Sequence, residues 1–367
     1  MNIKDLKTAR EELEAKFTPK EIVAGFDGFV DEIIHIVDKY LDSENYQRIE
    51  TINDFAGKIA QASGLSTNFE YKTMQKKLGG NGPIIGNALL SQGNSLHYIG
   101  ALGSGTIDPL FQEFAAKCKS VLTLGDPGYT EALEFSDGKI MMGKVESLDA
   151  VNWDNILKHY SQEKIIDLLN NSDLLCCTNW TNLYKLNSIL IGINNLDISK
   201  KLPLFIDLAD PRKRTDKDII EVLALISLLE KKFEVIFGLN EKESIHIAKM
   251  LKIECADTKE RSSRIRSELE ISCVVIHPVK FAVASTKDET AYAEGPYCEK
   301  PKLSTGAGDN FNAGFCNGLI NGLSLKSALY TGTCTSGYYV RNMQSPSRQE
   351  LLQFMHDWEE KKIYKLE

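Results

Sequence analysis

Ser304-Thr305-Gly306-Ala307-Gly308-Asp309-Asn310-Phe311-Asn312-Ala313-Gly314-Phe315 decides how the rest of this chain is read. A glycine turn comes first, and then a helical period begins. Phe311, Phe315, Leu319 and Leu323 fall on one face of the predicted helix, with Gly318 and Gly322 allowing close packing. Gly306 and Gly308 let main-chain N–H groups converge on one point. The helix N-terminus adds unpaired donors and a partial positive charge. Together these features make an anion site, and phosphate is the usual occupant of such sites. A carboxylate beside it, Asp309, would repel that anion. Its presence makes chemical sense when it takes a proton from a hydroxyl that attacks the phosphate. An exposed aspartate titrates at about 3.9, so Asp309 is expected to be ionised near neutral pH. The plainer alternative is a turn whose aspartate only caps a helix.

Six short apolar runs have strand character: Ile22–Phe26, Leu96–Ile99, Leu174–Cys177, Leu204–Ile206, Val235–Phe237 and Cys273–Ile276. Helical patterns adjoin them at Ile84–Leu90, Pro109–Cys118, Ile165–Leu169, Asp218–Leu229, Glu241–Leu251 and Arg261–Leu269. Continuous apolar strands alternating with helices imply a mainly parallel sheet covered on both faces. The expected fold class is α/β, doubly wound, with ligands at the carboxyl ends of the strands. Three segments break this rhythm. Phe29–Val37 suits a strand or a helix, Thr67–Lys77 is polar and extended, and Tyr129–Lys144 contains an Asp137-Gly138 hairpin step. Segments 28–40, 67–78 and 129–145 are expected to form a small β-sheet lid inserted in a single domain of residues 1–367. Residues 1–20 read as an added amphipathic helix (Leu6, Ala9, Leu13, Phe17), and residues 347–367 as a closing helix.

The bulk composition narrows the function classes. Of 367 residues, 43% are hydrophobic and 26% charged, typical of a globular protein. A net charge of −8 without a long Lys/Arg run argues against a nucleic-acid partner. Met1–Phe17 is charged and lacks the apolar core of a signal peptide, and no apolar run reaches the length of a membrane span. A cytoplasmic protein with no membrane partner is expected. The eight cysteines form no C-x-x-C pair and the six histidines are scattered, so reduced thiols and no structural zinc are expected.

Other constellations surround the opening stretch. Leu78-Gly79-Gly80-Asn81-Gly82-Pro83 precedes a helix; its glycines allow close backbone approach, and Asn81 supplies donors and acceptors suited to a polyol. Asp27 and Asp31 follow the first strand, where a carboxylate can accept hydrogen bonds from sugar hydroxyls. Asn240 and Glu243 follow the strand Val235–Phe237 in a capping-box pattern, and the same strand end could hold water around a magnesium–phosphate group. Gly100-Ala101-Leu102-Gly103-Ser104-Gly105 lacks the spacing of a dinucleotide fingerprint, and no P-loop occurs.

These motifs together resemble the ribokinase-like (PfkB) family of carbohydrate kinases, from about Ile22 to about Asn342. The resemblance implies an ATP- and Mg²⁺-dependent kinase acting on a hydroxymethyl group of a small sugar. It implies Asp309 as general base, with the N–H groups of Gly306, Ala307 and Gly308 stabilising the transferring phosphoryl group. It places Asp27, Asp31, Gly79, Gly80 and Asn81 at the sugar. It places Asn240, Glu243, Thr305, Gly306 and Gly308 at the nucleotide, with Glu243 reaching magnesium through water. A monovalent cation is an open further cofactor, and a homodimer through the lid is an open assembly. The lid would exclude water, which competes with the sugar for the phosphoryl group. Three positions depart from the family pattern: Leu303 replaces an aspartate, His277–Ala282 replaces a Thr-x-Gly-x-x-Gly segment, and Ile84 stands where an asparagine is frequent. The departures leave the nucleotide and the sugar open. A nucleoside kinase of the same fold shares every motif, and the lost glycines also admit a non-catalytic sensor.

Overall fold

The computed structural model describes residues 3–363 of the chain. Its strands in chain order begin with β1 (Glu21–Phe26), β2 (Phe29–Tyr40), β3 (Tyr46–Arg48), β4 (Tyr71–Gly79) and β5 (Ser95–Gly100). Next come β6 (Ser120–Thr123), β7 (Gly128–Phe135), β8 (Gly138–Lys144), β9 (Leu174–Cys177) and β10 (Leu202–Asp207). β11 (Phe233–Leu239), β12 (Cys273–Ile276), β13 (Phe281–Ser285) and β14 (Thr290–Glu294) complete the set. Nine of them form one sheet in the order β14-β13-β12-β11-β10-β9-β1-β5-β6. The seven strands from β12 to β6 are parallel, and β13 and β14 extend the edge as an antiparallel hairpin.

Why these strands are apolar throughout follows from where their two faces go. Val23 and Phe26 of β1 enter one core, while Ile22 and Ala24 enter the other. Val274 and Ile276 of β12 likewise face one way, and Cys273 and Val275 the other. Helices cover both sides, so the period-2 alternation of a half-solvated strand is absent. The architecture is thus the α/β, doubly wound sheet that the sequence implies. The first helix, Ile3–Lys16, buries Leu6, Ala9 and Leu13 completely, against helices Leu325–Asn342 and Arg348–Glu359. Phe17 lies just beyond that helix, and the end of the expected closing segment, 364–367, lies outside the described residues.

The second sheet is built around β2, which pairs parallel to β7 and antiparallel to β3 and β4, while β8 flanks β7. All three irregular segments therefore enter one small sheet. The ambiguity at Phe29–Val37 resolves as strand, because every neighbour available to it is a strand. The β7–β8 turn is Ser136-Asp137, with Phe135 opposite Gly138, one residue earlier than the Asp-Gly step implies. Ile34, Ile36, Ile49, Leu133 and Phe135 form a core of its own beneath the helix Ile52–Gln61.

The helix opened by Gly306 runs from Ala307 to Ile320, so Leu323 and Gly322 lie past its end. Gly314 and Gly318 do permit close packing. A Cβ on Gly314 would sit 2.4 Å from Thr335 Oγ1, and one on Gly318 2.9 Å from Ala328 Cα. Both partners belong to the helix Leu325–Asn342, which no sequence pattern above announced. Among the described residues, no helix is long and apolar enough to cross a membrane.

Candidate active site

The carboxyl ends of β1, β9, β10 and β11 and the turn before the helix Ala307–Ile320 converge on one region. Gly306 adopts φ +88°, a left-handed conformation that starts the helix and suits glycine. The Tyr339 hydroxyl donates to the Thr305 carbonyl at 3.0 Å. The main-chain N–H and the side-chain Nδ2 of Asn310 both donate to the Gly306 carbonyl, each at 3.0 Å. The Ala307 N–H donates to the Ser304 carbonyl at 3.2 Å. Of the three N–H groups expected in the anion hole, that of Ala307 is thus used inside the turn, leaving Gly306 and Gly308 as candidate donors.

Asp309 lies in the first turn of that helix and is 7% exposed. The expectation of an ordinary exposed aspartate is corrected by this placement. Burial pushes its carboxyl well above the usual value, and the charges of Asp207 and Asp27 push the same way. Asn81 opposes them, donating from Nδ2 to Asp309 Oδ1 at 2.9 Å. Asn81 begins its own helix, Asn81–Ser91, after Gly80 at φ +97°.

Asp27 is fully buried, which corrects the expectation that it touches a sugar. Its carboxylate accepts from the N–H groups of Asn81 at 3.0 Å and Gly82 at 2.7 Å, and from Asn179 Nδ2 at 2.5 Å. It anchors the start of the Asn81 helix from below, and burial pushes it up to about 6 against those three donors. Asp31, 8% exposed, is also largely buried, but it lines a cleft. Burial raises its carboxyl, opposed by a hydrogen bond with Thr130 and the charge of Lys77. Gly79 is needed beside it: a Cβ there would lie 2.5 Å from Asp31 Oδ2.

Two cavities meet at the turn. A cleft of about 520 Å³ is lined by Asp31, Lys77, Ile84, Asn87, Thr305 and Tyr339 among others. A pocket of about 350 Å³ is lined on the other side by Asn240, His277, Phe281, Tyr297, Gly308 and Val340 among others. Thr305, expected on the nucleotide side, lines the cleft that holds Asp31. Gly79 and Gly80 line neither cavity; they shape the chain that carries Asn81. His277 packs on Phe311 with ring centroids 4.7 Å apart, and its shielded Nε2 has no hydrogen-bond partner among the described residues.

Asn240 and Glu243 form the expected capping box. Asn240 N–H donates to Glu243 Oε2 at 2.8 Å, and Glu243 N–H donates to Asn240 Oδ1 at 3.0 Å. Glu243 is 9% exposed, and burial together with the Asp207 charge pushes its carboxyl up to about 9. Asp207 was not among the predicted site residues. It ends β10, accepts from Ala209 N–H at 2.7 Å and from Asn312 Nδ2 at 2.9 Å, and is 7% exposed. Its signal in the sequence was an aspartate closing an apolar strand before Asp210-Pro211. Asp207, Glu243 and Asp309 repel one another in a region of low dielectric. That chemistry suits a hard divalent cation with oxygen ligands. No cluster of three His, Cys, Asp or Glu among the described residues would hold a metal by itself. A cation here would share its ligands with phosphate and water.

The model of the prokaryotic ketohexokinase family matches residues 2–358. The chain belongs to that family. It is a carbohydrate kinase of the ribokinase-like (PfkB) group. A ketohexokinase from Haloferax volcanii is 25% identical over 354 residues, covering 95% of this chain and 94% of that protein. A 5-dehydro-2-deoxygluconokinase from Bacillus cereus is 27% identical over 155 residues, 41% of this chain and 46% of that protein. The solved structure of Arabidopsis thaliana ribokinase with ribose and ATP superposes with a TM-score of 0.65 at 15% identity, covering 92% of this chain and 99% of that one. The last comparison establishes the fold of this kinase, including its main sheet and its second, smaller sheet.

Proposed function

We propose that this kinase transfers the γ-phosphoryl group of ATP, with Mg²⁺, to a primary hydroxyl of a neutral ketohexose. One observation carries the reading: in a chain of the prokaryotic ketohexokinase family, Asp309 stands at a glycine turn that divides two cavities. The Asp31 cleft takes the sugar, and the His277 pocket takes the nucleotide. Asp309 accepts the proton of the attacking hydroxyl while Asn81 holds its Oδ1 in place. The N–H groups of Gly306 and Gly308 donate to the phosphoryl oxygens as charge develops. Glu243 and Asp207 would hold magnesium through water, and magnesium when bound neutralises charge on the phosphates. The second sheet acts as the lid that excludes water from the Asp31 cleft.

The cleft's charge supports a neutral sugar. Lys117 pairs with Glu113 at 2.7 Å, and Lys77 stands across the strands from Asp31. The two lysines that line the cleft are matched by two carboxylates, Asp31 and Glu113, so no net positive charge there favours a sugar acid. ADP release measured over ketohexoses, aldohexoses, sugar acids and nucleosides, with and without Mg²⁺ and K⁺, tests the reading. Ketohexose turnover that requires Mg²⁺ and is lost in Asp309→Asn is the expected result. Faster turnover of a sugar acid or a nucleoside would sink it.

A further inference from the structure

We propose that Tyr339 is the positioning residue that aims the anion hole, and that through it the wall of the sugar cleft and the anion hole are one unit. This inference rests on the kinase reading above. A peptide group is planar, so holding its carbonyl oxygen also fixes the direction of its N–H. The Tyr339 hydroxyl holds the Thr305 carbonyl at 3.0 Å. The N–H in the same peptide plane is that of Gly306, one of the two candidate donors to the phosphoryl group. Gly306 itself, at φ +88°, has no Cβ to restrain that plane. The restraint comes from a side chain on another helix, Leu325–Asn342.

The same ring lines the cleft that holds Asp31. A second contact braces the other face of the turn. Asn310, fully buried, donates from Nδ2 to the Gly306 carbonyl at 3.0 Å and accepts from Ser345 Oγ at 2.8 Å. Ser345 also lines the cleft, in the segment that follows Met343, a non-glycine residue at φ +59°. A sugar seated in the cleft therefore abuts Tyr339 and the Ser345 segment, the two elements whose bonds orient Thr305 and Gly306.

Tyr339→Phe keeps the ring and removes the bond. Three readouts apply to the full chain: kcat, KM for the sugar, and affinity for ADP with aluminium fluoride and sugar, a mimic of the transferring phosphoryl group. The expected outcome is about a tenfold loss in kcat and the same loss in affinity for the mimic, for the loss of the one hydrogen bond, to the Thr305 carbonyl, that holds the Gly306 N–H in place. KM for the sugar, affinity for ADP alone and the melting temperature stay near wild type. Ser345→Ala gives a smaller loss of the same kind. Unchanged kcat and mimic affinity in Tyr339→Phe, or an equal loss of ADP and mimic affinity together with a fall in melting temperature, overturns the proposal. Wild-type protein that transfers phosphate to no sugar overturns the kinase reading and this inference with it. Active wild type beside an equally active variant overturns this inference alone.

Discussion

Gly306→Ala places a methyl group where the turn has least room. The new Cβ would lie 2.8 Å from the Tyr339 hydroxyl and 3.2 Å from Ile84 Cγ2, on a residue at φ +88°. A left-handed conformation costs an L-residue about 1–2 kcal/mol. Displacing the Tyr339 hydroxyl from the Thr305 carbonyl costs about 1 kcal/mol more. The sum, about 2–3 kcal/mol, has two outlets. If the turn keeps its geometry, the strain lowers stability, by about 3 to 4 °C in a chain of this size. If the turn relaxes, the Gly306 N–H leaves its place, and at 1.36 kcal/mol per tenfold kcat falls by about 30- to 150-fold. The second outcome is expected, because a turn at the edge of two cavities yields more easily than the helix behind it. Steady-state ADP release and thermal melting of the same preparation separate the outlets. The double variant Gly306→Ala, Tyr339→Phe removes the nearer clash, so its loss should be smaller than the sum of the two single losses. A Gly306→Ala protein with wild-type kcat and wild-type melting temperature would refute the reasoning. An additive double variant would show that the clash with Tyr339 carries none of the cost.

Three further outcomes follow from the site. Asn81→Ala removes the donor that opposes the raised carboxyl of Asp309, so the acidic limb of the kcat/KM profile should move to higher pH. Loss of a hydrogen bond to a charged group should lower kcat/KM below that limb by roughly tenfold, and an unmoved limb would exclude Asp309 as the base. Glu243 is raised from 4.5 to about 9, so between those values the folded protein holds a proton that the unfolded chain has released. Stability should therefore fall as pH rises from about 5 to 9. Mg²⁺ or Glu243→Gln should flatten the slope; thermal melts with and without Mg²⁺ measure it, and a slope indifferent to both removes Glu243 from the cation corner. Phe55, edge-on to Phe69 at 5.1 Å and tilted on Phe135 at 5.6 Å, closes the small core of the second sheet. Phe55→Ala should weaken that sheet by roughly 2 kcal/mol, discounted for partial exposure, and raise sugar KM and sugar-independent ATP hydrolysis with little change in global melting. A large fall in the global transition without those kinetic changes would argue against a lid.

Local pattern determined much of this protein by itself. The apolar runs at Ile22–Phe26 and Cys273–Ile276, the glycine turn before Asp309 and the capping box of Asn240 and Glu243 are each written in a few contiguous residues. Each concerns main-chain geometry or a neighbour within one helical turn, which short-range chemistry can specify. The tertiary structure decided what meets across the chain. Asp27 looks like a sugar ligand when only its strand end is considered. Its carboxylate is taken by Asn81, Gly82 and Asn179, which strand order brings beneath the site. Asp207 reads as an ordinary strand-end aspartate until β10 is placed beside β11 and its charge falls near Glu243 and Asp309. Asp309 looks exposed in sequence, yet the surrounding elements bury it and raise its carboxyl. Tyr339 carries no motif at all; its role appears only because the helix Leu325–Asn342 packs on the glycine face of the helix Ala307–Ile320. The reaction type is thus encoded where residues are neighbours in the chain. The environment that tunes the reaction is set by contacts between residues up to 228 positions apart, such as Asn81 and Asp309, which no local pattern can specify.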